Sequence, residues 1–310
     1  VITMRVRLPA GRAGFTLVEL MIAMIVGLVV LAAATAVVAT TWKGIAGGRS
    51  REGLERNARF INEALNRDLS ETGVDLASSV QFGALGVRND TLVILGVPYV
   101  NDTVAAPHTF QYGGAPLAPA TGSCGTYCVD VDTVRWDIAA NDLALLQANN
   151  ERRLIGVTSV NRAGAVASVT FHPDTSFLLH EGAYARNMIL PNNGVVVRKL
   201  RFAAYWVENG SLMRAQELNP DGSPKGELVA TGVDSIRVRL VFSDGTEATT
   251  ADPTDGNGDN DWDDILAVRV NAWLQADPTD RRVNNGQPVT RAYSWWFAPR
   301  NLRYEKNRIT

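Results

Sequence analysis

Glu19 is the one charged residue between positions 15 and 42, in the run FTLVELMIAMIVGLVVLAAATAVVATTW. An ionised group at membrane depth costs on the order of 2.5–3.5 kcal/mol, so such a carboxylate implies a function and a partner. Cys124 and Cys128 are the only cysteines and enclose Gly-Thr-Tyr. In an exported domain the pair suits a disulfide closing a small loop. Three intervening residues also set it apart from a thioredoxin-type C-x-x-C. The third candidate is acidic. Asp244, Glu247, Asp252, Asp255, Asp259, Asp261, Asp263 and Asp264 fall within 21 residues that hold no Lys or Arg. Asp255, Asn257, Asp259 and Asp261 alternate like the opening of a D-x-N-x-D calcium loop, and Asp263 adds another hard oxygen donor. Asn260 stands at the usual Gly position, and Leu266 where a bidentate Glu would close an EF-hand. Two readings therefore stay open, a calcium site and a solvated acidic loop.

Little else offers chemistry. His108, His172 and His180 are scattered, and the chain has no G-x-S-x-G, P-loop or G-x-G-x-x-G. Nothing proposes an active site, so the expectation is a protein that is not an enzyme. Arg300, Arg303, Lys306 and Arg308 follow Trp295, Trp296 and Phe297. Basic residues with aromatics can bind single strands. With a net charge of −2 and no bulk basicity, the expectation is a last strand with a solvated tail, and no nucleic-acid partner.

These residues need elements to hold them. The chain has 310 residues, 46% hydrophobic and 20% charged. That excludes a disordered chain, a collagen and a polytopic membrane protein. Residues 1–14 carry Arg5, Arg7 and Arg12 and no acid, and either Val1 or Met4 is the start. The 28 residues that follow span about 42 Å as a helix, enough for a hydrocarbon core of ~30 Å. The cationic leader stays cytoplasmic and the bulk is exported. A secretory signal cut at Ala34-Thr35-Ala36 is one reading, and a plain anchor another. The length of the run and the charge of Glu19 within it argue against the first.

Leu54, Ala58, Ile61, Leu65 and Leu69 then form an amphipathic stripe. Gly44, Gly47 and Gly48 predict a melted segment between the two halves. Gly73 is expected at C′ of the helix end. From residue 74 alternation and β-branched residues take over. Strands are expected at 91–95, 134–138, 154–160, 167–171, 195–207, 212–217, 235–242, 265–275 and 293–297. Glu208-Asn209-Gly210 is a hairpin turn signal. Residues 97–130 and 243–264 read as irregular. The fold class is α+β: a long N-terminal helix packed on a C-terminal antiparallel β-sheet domain.

The run Gly14-Phe15-Thr16-Leu17-Val18-Glu19-Leu20 closely resembles the processing site of type IV prepilins and type II secretion pseudopilins. The resemblance covers roughly residues 5–73. It implies a leader at 1–14, a pilin helix at 15–73 with its membrane span at 15–42, and an exported domain at 74–310. It also implies that a prepilin peptidase cuts between Gly14 and Phe15 and methylates the new terminus. Phe15 and Glu19 would then set assembly register, with Glu19 neutralising its own terminus or that of the adjoining subunit. Cutting lowers the side-chain charge from −2 to −5.

Looser likenesses point to minor pilins of the PilW type, a group similar to the larger minor pseudopilins. They are Arg67-Asp68-Leu69 with Gly73, Gly210-Ser211-Leu212-Met213-Arg214, residues 232–238, residues 265–270 and residues 293–303. The resemblance implies a single-pass protein of the inner membrane that moves into a pilus. Its implied partners are the peptidase, other minor pilins, the major pilin and the inner-membrane assembly machinery. Such fibres serve adhesion, twitching motility or DNA uptake. Two alternatives stay open: a minor pseudopilin, and a membrane-anchored protein binding calcium or another ligand.

Overall fold

The computed structural model describes residues 14–310 except 77, 80, 98, 102–109, 113, 117–126, 133–137, 149–150, 165, 173–194, 254–259, 277–286 and 303–310. One helix, α1 (Leu17–Ser70), runs for 54 residues, about 81 Å at 1.5 Å per residue. It passes through Gly44, Gly47 and Gly48 without a break, contrary to the melted segment expected there. Each glycine costs about 1 kcal/mol. Breaking the helix would instead open two new ends, each with four unpaired backbone groups, and require a second nucleation. The second cost wins. The helix also stops three residues short of Gly73. Glu71 is the C-cap, and Gly73 lies one position beyond C′ with a φ of 73°. There its amide donates to the Leu95 carbonyl, joining the end of α1 to the sheet.

The strands are β1 (Leu85–Arg88), β2 (Thr91–Gly96), β3 (Tyr99–Asn101), β4 (Phe110–Tyr112), β5 (Gly114–Pro116), β6 (Cys128–Asp132), β7 (Leu143–Ala148) and β8 (Glu151–Ala163). They continue with β9 (Val166–His172), β10 (Val195–Glu208), β11 (Ser211–Leu218), β12 (Pro224–Thr231), β13 (Val233–Phe242), β14 (Glu247–Ala248), β15 (Ile265–Gln275) and β16 (Thr290–Phe297). The expected irregular stretch at 97–130 thus holds β3, β4, β5 and the start of β6. The strand expected at 134–138 falls mostly outside the described residues, and Ile138 lies in no strand. Every strand ladder among the described residues is antiparallel.

The 14-residue β10 organises the larger sheet. Its first half pairs with β7, and its second half with β2 and β11. The β10–β11 hairpin turns at Asn209 and Gly210, both with positive φ (50° and 72°), as a two-residue type I′ turn requires. A smaller sheet has the order β14-β13-β15-β16. Leu54, Ala58, Ile61, Leu65 and Leu69 are all buried in one core with Phe82, Leu95, Phe202 and residues of β13 and β15. Each large apolar side chain buried this way contributes about 1.5–3 kcal/mol. A second core forms between β6, β7, β8 and β9, around Leu146, Ile155, Val169 and Phe171.

Candidate assembly site

Gly14 and Phe15 precede α1, and Phe15 is 85% exposed. A Cβ on Gly14 would meet nothing within 4 Å, so the fold itself does not require glycine there. Thr16 is the N-cap of α1. Its hydroxyl accepts from the Glu19 amide at 3.3 Å, while Glu19 Oε2 accepts from the Thr16 amide at 2.9 Å and the Thr16 hydroxyl at 3.0 Å. This is a capping box, with the N3 carboxylate folded back over the helix N-terminus. The positive end of the helix dipole favours an anion at that place. T-x-x-E at 16–19 is legible in the sequence, yet the reading of Glu19 as a charge awaiting an ammonium passed over Thr16. The two roles are compatible, because cutting before Phe15 would set the ammonium one residue from the group Glu19 already holds.

From Phe15 to Ile45 the large apolar side chains of this segment are exposed, and the most apolar stretch of α1 has no cover from the rest of the described residues. A core helix of a soluble domain would be buried. This half needs a partner that is lipid or another protein.

The other end of α1 is fastened by a carboxylate of the Arg67-Asp68-Leu69 segment. Asp68 is 2% exposed. Arg214 grips it with two bonds, Nε to Oδ2 at 2.8 Å and Nη2 to Oδ1 at 2.7 Å. Arg201 Nη2 donates to Oδ1 at 3.0 Å, and the Tyr205 hydroxyl donates to Oδ2 at 2.5 Å. Arg201 also pairs with Glu71. Burial pushes the Tyr205 hydroxyl pKa up, and the adjacent Asp68 carboxylate raises it further. Two of the looser motifs, Arg67-Asp68-Leu69 and Gly210-Ser211-Leu212-Met213-Arg214, therefore meet in space. Arg201 and Tyr205 escaped the sequence reading because their alternation on β10 marks only a strand face. With both oxygens fully engaged, Asp68 is a lock between helix and sheet and has no lone pair free for base chemistry.

In the acidic loop, Asp255, Asn257 and Asp259 lie outside the described residues. Asp261 and Asp263 are brought together with Asp264, each offering a carboxylate oxygen within 4.8 Å of the others. Trp262 anchors this segment in the core, packed so closely on Gly83 that a Cβ there would approach its Cγ to 2.3 Å. Asp244 accepts from the Thr246 amide and hydroxyl, both at 2.8 Å. Those bonds hold its carboxyl below the usual aspartate range. Cys128 is buried at the start of β6, and Cys124 lies outside the described residues. His108, His180, Arg303, Lys306 and Arg308 also lie outside them.

The prokaryotic N-terminal methylation motif matches residues 9–35. No curated protein matches the chain. The motif spans the Gly14–Phe15 bond, the capping box and the first half of the uncovered helix, and an antiparallel sheet domain follows. By that combination the chain carries the N-terminal segment of a type IV prepilin-like protein, and α1 is a helix long and apolar enough to anchor it in a membrane.

Proposed function

We propose that this protein is a minor type IV pilin of the PilW kind, acting with other minor pilins in a tip or priming complex that starts a filament. The observation that carries this reading is the methylation motif overlapping 29 uncovered residues of one helix, 17–45. A prepilin peptidase cuts at Gly14–Phe15. Gly14 serves the peptidase, since the fold places no demand on it. The chain then waits in the inner membrane as a single-pass protein. On assembly, residues 15–45 leave lipid for the filament core, and Glu19 offers its carboxylate to an α-ammonium. The β domain makes lateral contacts. Its work is structural, without catalysis. The test is phenotype: deletion should abolish piliation while leaving protein secretion intact, with restoration by the wild-type chain and not by Glu19→Ala. Loss of secretion with normal piliation would instead identify a pseudopilin.

Two features of the exported domain belong to this reading. The Cys124–Cys128 bridge constrains a short loop before β6. An intact mass unchanged by reductant plus alkylation would exclude it. The cluster of Asp261, Asp263 and Asp264, with the acidic loop before it, holds calcium. A calorimetric titration without calcium heat would eliminate the ion and leave a solvated loop.

A further inference from the structure

Where α1 leaves its apolar half, it carries five cations, Lys43, Arg49, Arg51, Arg56 and Arg59, against Glu52 and Glu55. Glu55 is engaged by Arg291 at 3.1 Å. Among the described residues, Arg49, Arg51, Arg56 and Arg59 make no ion pair. This is the exported flank, where the orientation rule calls for few basic residues. The topology therefore gives these charges no role.

Arg49 and Arg56 also face a groove of about 660 Å³ between α1 and the rim of the β domain. Asn57, Thr231, Gly232 and Gln275 complete its wall, and no carboxylate lines it among the described residues. The Asn57 side chain donates to the Thr231 carbonyl at 3.0 Å, fixing the groove's depth. Seven residues apart, Arg49 and Arg56 lie on one helix face, and Trp42 lies seven residues before Arg49 on the same face. Each interval is about 10 Å. Trp42 is 58% exposed and sits where an aromatic belt marks the membrane surface. Helix side chains lean toward the N-terminus, which here is toward the bilayer. Arg49 thus reaches back into the headgroup layer, and Arg56 stands above it, both lining the groove.

We propose that this groove binds the phosphodiester headgroup of an anionic phospholipid in the exported-side leaflet. The lipid holds the β domain against the membrane surface before assembly and is surrendered when α1 is extracted. The inference needs only that α1 crosses the membrane, and it stands whichever filament the protein enters.

The experiment uses the full chain in nanodiscs of phosphatidylglycerol mixed with phosphatidylcholine, followed by native mass spectrometry of the released protein. The wild type should retain phosphatidylglycerol well above its share of the disc. One basic charge at an anionic surface is worth about fivefold in binding. R49Q and R56Q should each lower that enrichment about fivefold, and the double variant on the order of 25-fold. R162Q, on an exposed part of β8, should leave it unchanged. Arg49 and Arg56 are exposed, so thermal melts should match the wild type. If the double variant fails to fold, the single variants decide. Equal retention of the two lipids, or enrichment surviving both substitutions, would overturn the proposal. So would millimolar inorganic phosphate that displaces the lipid completely, since that would assign the groove to a free anion.

Discussion

The two halves of α1 carry one carboxylate each in apolar surroundings and treat it in opposite ways. Asp68 is saturated within the chain by Arg201, Tyr205 and Arg214. Among the described residues Glu19 has only its own helix end, through Thr16. The apolar side chains follow the same division. Leu54, Ile61, Leu65 and Leu69 are buried against the sheets, whereas those from Phe15 to Ile45 are exposed. One continuous helix thus joins a half completed by its own fold to a half completed only by lipid or other subunits. Stability should be sensitive to the first half and assembly to the second.

The comparison breaks most visibly at the two carboxylates. Asp68→Ala leaves two arginines facing a buried gap and should cost about 3–5 kcal/mol. In a domain of this size that lowers the melting temperature by on the order of 10 °C, read by circular dichroism. Glu19→Ala should leave that melt unchanged and abolish incorporation into filaments, read by immunoblot of sheared fibres. If Glu19→Ala destabilised the β domain as Asp68→Ala does, the division of labour would be wrong. The apolar residues sharpen the same contrast. Ile61→Ala should cost about 2–5 kcal/mol. Val29→Ala should cost the exported domain nothing, because none of the described residues covers it.

Tyr205 gives a smaller effect with a pH signature. Its proton is held more tightly in the fold than at the ordinary tyrosine value of about 10. The folded form therefore keeps a proton that the unfolded chain releases. This stabilisation is complete below that value and is lost as pH rises above it. Tyr205→Phe removes one charge-assisted hydrogen bond, costing about 1.5–3 kcal/mol at neutral pH. It should also flatten the alkaline loss of stability in denaturant melts. Smallest is the glycine region. Gly47 and Gly48 have open surroundings. Replacing each with Ala should raise helix stability by about 1 kcal/mol, seen as slower amide exchange at 44–48.

How far the sequence revealed this varied with the physics involved. The 4-3-4-4 stripe over residues 54–69 named the buried face of α1 correctly, because burial against a sheet imposes helical periodicity. Asn209-Gly210 marked its hairpin because only a few residues adopt successive positive φ. The continuity through Gly44–Gly48 was missed because intrinsic propensity is counted per residue, whereas helix breakage costs a whole nucleus and two ends. β1, β7 and β12 were missed as well. β7, LALLQA, lacks both alternation and β-branched residues, and its burial comes from β8 and β10 on either side. At the site, the Gly14–Phe15–Glu19 spacing is local and legible. The Asp68 lock is not, since its partners lie 133 to 146 residues away.

Assembly as proposed requires α1 to be freed at its N-terminus. Its most direct test is the N-terminus of the mature protein, by mass spectrometry of cells with and without a prepilin peptidase. The prediction is a terminal peptide beginning at N-methylated Phe15 that disappears without the peptidase. An intact leader in both strains would contradict it and leave a plain membrane anchor. A terminus just after Ala36 would reveal an ordinary signal peptide and remove Glu19 from the mature chain altogether.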